Sequence, residues 1–253
     1  SCGQPLHFGR WPLECRMLRV LPFLMLALLA ASQAFAVELP RPRLEVLGFS
    51  PDGRFFAFRQ SGLDVGNTHF AQLVVIDTLS RKPVNGTPIL VREPASEKSL
   101  QDVRNQLDAE SSRVLRRLGL NRALAGVAYV PRERNQMYLD LPWGERALLR
   151  LEERSGLAAP GCPINVPVEK GALAGFHLTL QRPAEVTVVH NDPIVPRERG
   201  CATQYRFASG FTKPRGNDTV LAAVIAYRQP TRNGDSMVRY MAVTSIVPAR
   251  GGN

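Results

Sequence analysis

The stretch LEVLGFSPDGRFFAFRQ, residues 44–60, decides the fold. Its apolar-rich halves, 44–49 and 55–60, are strand-like, and between them lies a turn with proline preset at its second position. In this turn motif, Ser50-Pro51-Asp52-Gly53, the Asp52 carboxylate can accept from the turn backbone and Gly53 can take positive φ without a Cβ penalty. The same residues nearly spell a nucleophile elbow. The second glycine comes one place too late, however, and Pro51 after the serine has no N–H to offer an oxyanion, so the motif reads as structural.

Downstream, residues 62–67 supply a loop, 71–77 a buried strand rich in Leu, Val and Ile, 85–88 an Asn-Gly-Thr-Pro turn and 89–91 a further strand, which together make a β-meander. A single convincing helix follows. Ser99 is its N-cap, Asp102 stands three residues on, Gly119 ends it, and Leu100, Val103, Leu107, Val114, Leu115 and Leu118 form its apolar stripe. Arg113, Arg116 and Arg117 crowd the last two turns, where cations suit the helix dipole. Beyond it, short candidate strands at 125–130, 136–141, 147–151, 176–180 and 185–189 lead to the longest pair, 220–228 and 238–247, joined across Asn233-Gly234. The expected fold is mainly β with one packed amphipathic helix, its β-meander sheets arranged as a sandwich or as a degenerate propeller-like array.

Upstream, Arg16 and Arg19 precede a 12-residue apolar run from Val20 to Ala31, and Ala34-Phe35-Ala36 is an A-x-A site. This pattern is a secretory signal peptide, here at 17–36, and the run is too short for the roughly 20 residues of a membrane span. Residues 1–16 precede the first methionine and are read as upstream translation or a misplaced start, and 37–253 is expected to be one mainly β domain with no transmembrane span after cleavage. Arg10, Arg16 and Arg19 against Glu14 leave +8 of the net charge of +10 on that domain. The excess is spread out with no run of five or six like charges, so a nucleic-acid arm is excluded. Such a surface suits an anionic envelope polymer or lipid headgroups better than DNA, and the expected partners are an envelope protein or an anionic envelope polymer.

Cys162 and Cys201 are an even pair in an oxidising compartment and are expected to form a disulfide. A Cys-His metal site fails, because His69, His177 and His190 have no metal-finger spacing to the cysteines. His190-Asn191-Asp192 reads as a turn before Pro193, with a surface ligand or metal contact as its functional version. Asp64 and Asn67, with nearby carbonyls, lack the D-x-[DN]-x-[DN]-G spacing of a Ca²⁺ loop. Asp64, Asn67, His69, His190 and Asp192 are therefore the candidate surface site, without an expected cofactor. There is no P-loop, G-x-G-x-x-G, H-E-x-x-H or S-x-x-K with K-T-G, so enzyme is the minority reading.

The elements GFSPDGRFFAF, LVVIDT and NGTPILV, then the helix QLDAESSRVLRRLGL and the closing strand RYMAVTSIV, resemble the bacterial predicted secreted proteins of domain of unknown function 2259. The resemblance implies export and a common fold, and brings no activity with it. The family's glycine-rich aromatic loop stands here in altered form at 64–70. The S-P-D-G turn and following strands are also similar to one blade of a TolB-type propeller, although only one clear copy occurs and a propeller takes at least about four. These readings point to an exported, non-catalytic protein that binds another periplasmic component. The alternatives are a degenerate hydrolase with a loop-built site and a purely structural envelope protein.

Overall fold

The computed structural model describes residues 40–163, 166 and 172–249. The segments 1–16 and 17–36 lie outside the described residues. The N-terminal sheet consists of β1 (Arg43–Phe49), β2 (Phe55–Asp64), β3 (Thr68–Asp77), β4 (Lys82–Pro83) and β5 (Ile89–Pro94), all antiparallel, with β4 and β5 sharing the outer edge of β3. Its first hairpin is set by the 50–53 turn. Gly53 N–H donates to the Ser50 carbonyl, Phe55 N–H to Ser50 Oγ and Arg54 N–H to Asp52 Oδ1, with Gly53 at φ +71°. The hydrogen bond from the Ser50 hydroxyl is the main cause that lowers the Asp52 pKa.

Strand alternation gives this sheet two different faces. Ala57, Ala71, Leu73, Val75 and Val91 point to one side and are covered by α1 (Leu100–Arg117) through Val103, Leu107 and Leu115. Ser99 and Asp102 form a complete capping box at the start of α1, each side chain bonded to the other's backbone N–H. Removing the hydroxyl in Ser99→Ala is expected to lower stability by about 1 kcal/mol, read as an earlier urea midpoint at unchanged slope.

The middle sheet has the order β13 (Ser236–Val247), β12 (Asp218–Pro230), β11 (Thr203–Arg215), β6 (Val127–Tyr129), and the outer sheet β10 (Glu185–Asn191), β9 (Ala174–Arg182), β8 (Arg146–Ser155), β7 (Gln136–Asp140). β12 shows why the layers stack. Val220, Ala222 and Val224 pack on Phe49, Phe56 and Phe58 of the N-terminal sheet, whereas Leu221, Ala223 and Ile225 pack on Leu149, Phe176 and Leu178 of the outer sheet. A strand buried on both faces must read as a continuous apolar run, and 220–227 does. The order through the molecule is helix, N-terminal sheet, middle sheet, outer sheet. Among the described residues there are three open antiparallel sheets, one fewer than the smallest propeller needs.

The strand series read from the sequence stops at 189 and resumes at 220, with only a strand around Tyr205 expected beyond Cys201, so it leaves out most of the 13-residue β11, which lies inside the middle sheet. Two register shifts against β12, at Thr203/Tyr205 and Phe207/Ser209, break the period-two pattern, and Gly210 and Pro214 look like loop residues. Gly210 has a packing reason: a Cβ there would stand 2.3 Å from the Met137 methyl carbon.

Candidate functional site

β13 is the edge of the middle sheet, and the N-terminal sheet continues past it with β3, β4 and β5. The space left beside β13 is a cleft of about 860 Å³. Gln72, Val74 and Ile76 of β3 with Leu90 and Arg92 of β5 line one wall, Val189, His190, Pro196, Glu198 and Arg199 another, and Tyr240 to Thr244 of β13 the back. The even-numbered β3 residues face the cleft because the odd-numbered ones are committed to the helix side. Among the described residues its charged lining is Arg81, Lys82, Arg92, Arg199 and Arg239 against Glu198, with buried Asp192 and Asp64 offsetting two of the five cations from behind the wall. A second hollow of about 550 Å³ shares Arg92, Gln229 and Arg239 with the cleft and reaches Cys201.

Gln60 fixes the back wall. Its amide accepts from Tyr240 N–H at 3.0 Å and donates both to the Tyr240 carbonyl at 3.2 Å and to Gln72 Oε1 at 2.7 Å. One side chain thus stands in for the peptide group of a neighbouring strand and ties the N-terminal sheet to the edge of the middle one.

Asp64 ends β2 on the cleft side and is buried, not a surface residue. Arg239 Nη2 donates to Asp64 Oδ2 at 2.6 Å, Arg92 Nη2 lies 2.9 Å from the same oxygen, and Val65 N–H donates to Oδ1. The Arg239 guanidinium also lies over the Phe70 ring, 4.1 Å from its centroid. Asn67 is the φ +54° residue of the exposed β2–β3 turn, and its carbonyl accepts from Ala95 N–H. His69 is turned to the opposite face, where its Nδ1 lies 2.9 Å from the Lys98 carbonyl. The loop therefore does not form one site: Asp64 and His69 belong to different faces of one sheet.

His190 and Asp192 do come together. A register shift against β9 between Val188 and His190 re-aims the end of β10, and His190 Nε2 lies 2.8 Å from Asp192 Oδ1. Asp192 is only 2 % exposed, again not at the surface, and its other oxygen accepts from Phe176 N–H at 3.0 Å. Arg199, 5 % exposed, binds Oδ1 through Nη2 and donates through Nη1 to the Tyr205 hydroxyl at 3.0 Å. Burial alone would raise the Asp192 pKa, but the hydrogen bonds from His190, Arg199 and Phe176 outweigh it and hold the carboxyl at about 2. Burial pushes the Tyr205 hydroxyl well above its ordinary range. An ionised carboxylate only accepts, so Nε2 carries the hydrogen, and His190 stacks on Phe176 with ring centroids 4.6 Å apart.

Cys162 and Cys201 are disulfide-bonded, closing a separation of 39 residues and anchoring the chain two residues after Arg199. Among the described residues no three His, Cys, Asp or Glu side chains gather where they could hold a metal ion, and no helix is long and apolar enough to cross a membrane. Arg92, Arg199, Arg239 and Gln60, which build the site, carried no sequence signal. Their partners lie up to 180 residues away. In comparison with known proteins, a family model described as Predicted secreted protein (DUF2259) matches residues 57–245. No curated protein and no solved structure matches the chain.

Proposed function

Because the chain belongs to the DUF2259 family of predicted secreted proteins, we propose that it works in the periplasm as a non-catalytic protein that holds another envelope component in the cleft beside β13. The observation that carries this reading is the lining of that cleft, apolar along β3 and β5 and, among the described residues, with an excess of basic side chains that Asp64, Asp192 and Glu198 do not balance. Concave, mostly apolar walls with a few convergent charges are the usual form of a binding site. The test is retention of an envelope component, from a detergent extract, on the immobilised protein. Replacing Arg81 and Lys82 with Glu should release it, and retention indifferent to that pair overturns the reading.

A second reading, a degenerate hydrolase, draws on the His190–Asp192 contact. Arg199 bound to the same Asp192 oxygen weighs against it, because the carboxylate charge that would stabilise an imidazolium is already neutralised. Turnover of ester, glycoside or peptide substrates that is lost in His190→Ala would establish this alternative.

The end of α1 is a separate cationic face, with Arg113, Arg116 and Arg117 all exposed. Exposed charges contribute little to stability, while screened long-range attraction governs encounter. Replacing all three with Gln should leave the melting temperature nearly unchanged. Retention on an anionic polymer matrix should fall, and fall further with added salt.

A further inference from the structure

We propose that the occupant of the cleft is an anionic amphiphile with one long acyl chain, a fatty carboxylate, its chain along β3 and β5 and its headgroup at Arg92 and Arg239. This rests on the reading that the cleft holds an envelope component, and names its chemical class.

The headgroup position follows from charge. Arg92 and Arg239 meet on one oxygen of Asp64, so a single carboxylate balances two guanidiniums and one positive charge is left over. Arg239 is fixed by Asp64 and the Phe70 ring, whereas the Arg92 side chain is 51 % exposed at the mouth and has N–H donors to spare. A planar fork of donors suits a carboxylate. Glu198, the one acid among the described residues of the lining, is exposed and stands on the opposite wall with His190 and Arg199.

The chain position follows from the walls. Arg92 is in register with Phe70, and from there to Ile76 β3 advances six residues, roughly 20 Å. Along that path the cleft presents Val74, Ile76, Leu90, Met241 and Ala242, and Leu90 is 43 % exposed. A small anion would leave this apolar length wet. An added peptide strand fits less well, since strand addition draws its affinity from main-chain hydrogen bonds along an open edge. Here both backbone groups of Tyr240 are taken by Gln60, and Thr244 is buried. An acyl chain asks for no hydrogen bonds along its length.

Calorimetric titration of the purified full chain tests this with four probes: laurate, acetate as headgroup alone, dodecyl maltoside as an uncharged single-chain amphiphile, and a hexapeptide alternating Val and Glu. Laurate is expected to bind at one site while the other three do not. Arg92→Gln should weaken laurate about tenfold, the effect of a lost charge-assisted pair, since Arg239 still balances Asp64. Leu90→Asp should abolish binding. Both positions are half-exposed, so unchanged melting temperatures confirm that the variants are folded, and Leu90→Ser replaces Leu90→Asp if the latter does not fold. Laurate affinity that ignores both substitutions, acetate or maltoside binding as tight as laurate, or peptide binding in its place each overturns the inference. Where laurate fails but retention of an envelope component still depends on Arg81 and Lys82, only the chemical class is wrong; where both fail, the broader reading falls too.

Discussion

Asp192→Asn is expected to cost about 3–5 kcal/mol of folding stability, because it strips the charge from a carboxylate that balances a buried arginine. Asp192 and Arg199 are 2 % and 5 % exposed, so neither can recover its hydration. An asparagine keeps the shape but offers one acceptor oxygen where the native residue uses two, one for Phe176 N–H and one for His190 and Arg199. Whichever way the amide is turned, its NH₂ faces a donor, and a buried donor is left unsatisfied. The acid dependence has a defined sign. The folded-state pKa of about 2 lies below the ordinary unfolded value near 3.9. The native protein thus gains stability that is fully present above roughly pH 5 and is lost as pH falls towards 2, about 2–3 kcal/mol over that window. Guanidinium unfolding at neutral pH and along an acid series measures both effects, with the variant showing the flatter acid profile. A neutral-pH loss under about 1 kcal/mol would mean that Arg199 reaches solvent or another partner.

The parts of the fold legible in the sequence are those fixed by neighbours in the chain. The 50–53 turn carries its own hydrogen-bond donors and acceptors, the β12–β13 hairpin its Asn233-Gly234 signal, and α1 its cap and stripe. β11 was legible only around Tyr205, because its two bulges destroy the alternation by which a longer strand is recognised. The site was less legible still. His190 and Asp192 are close in sequence and were visible as a pair, but the residue that decides their chemistry, Arg199, looked like one surface arginine among many. Asp64 stood out for its loop, although its partner Arg239 is 175 residues away and only sheet stacking brings it near. The cleft itself has no local sequence signature, since it exists because the middle sheet ends at β13 while the N-terminal sheet continues through β3 to β5.

That dependence of the cleft on sheet stacking makes Phe56→Ala the most informative core substitution. Phe56 is fully buried between the N-terminal and middle sheets, beside Phe49 at 5.0 Å and Phe211 at 5.8 Å between ring centroids. On the middle-sheet side it meets, besides the Phe211 ring, Ala222 and its neighbours Val220 and Val224, whose short side chains cannot extend to fill the space of a lost ring. Removal of a fully buried phenylalanine costs about 3–5 kcal/mol, partly lost transfer energy and partly the cavity left behind. Two aromatic contacts go with it, each worth about 0.5–1.5 kcal/mol beyond burial and already contained in that total. The useful contrast is Leu107→Ala, which opens a comparable hole on the helix side of the same sheet. Both should shift the denaturation midpoint by a similar amount. Only Phe56→Ala loosens the interface that sets the height of the cleft wall above β13, so it alone should weaken laurate binding. Equal affinity in the two variants would show that the Gln60 clasp on Tyr240 holds the cleft wall without help from the aromatic layer beneath it.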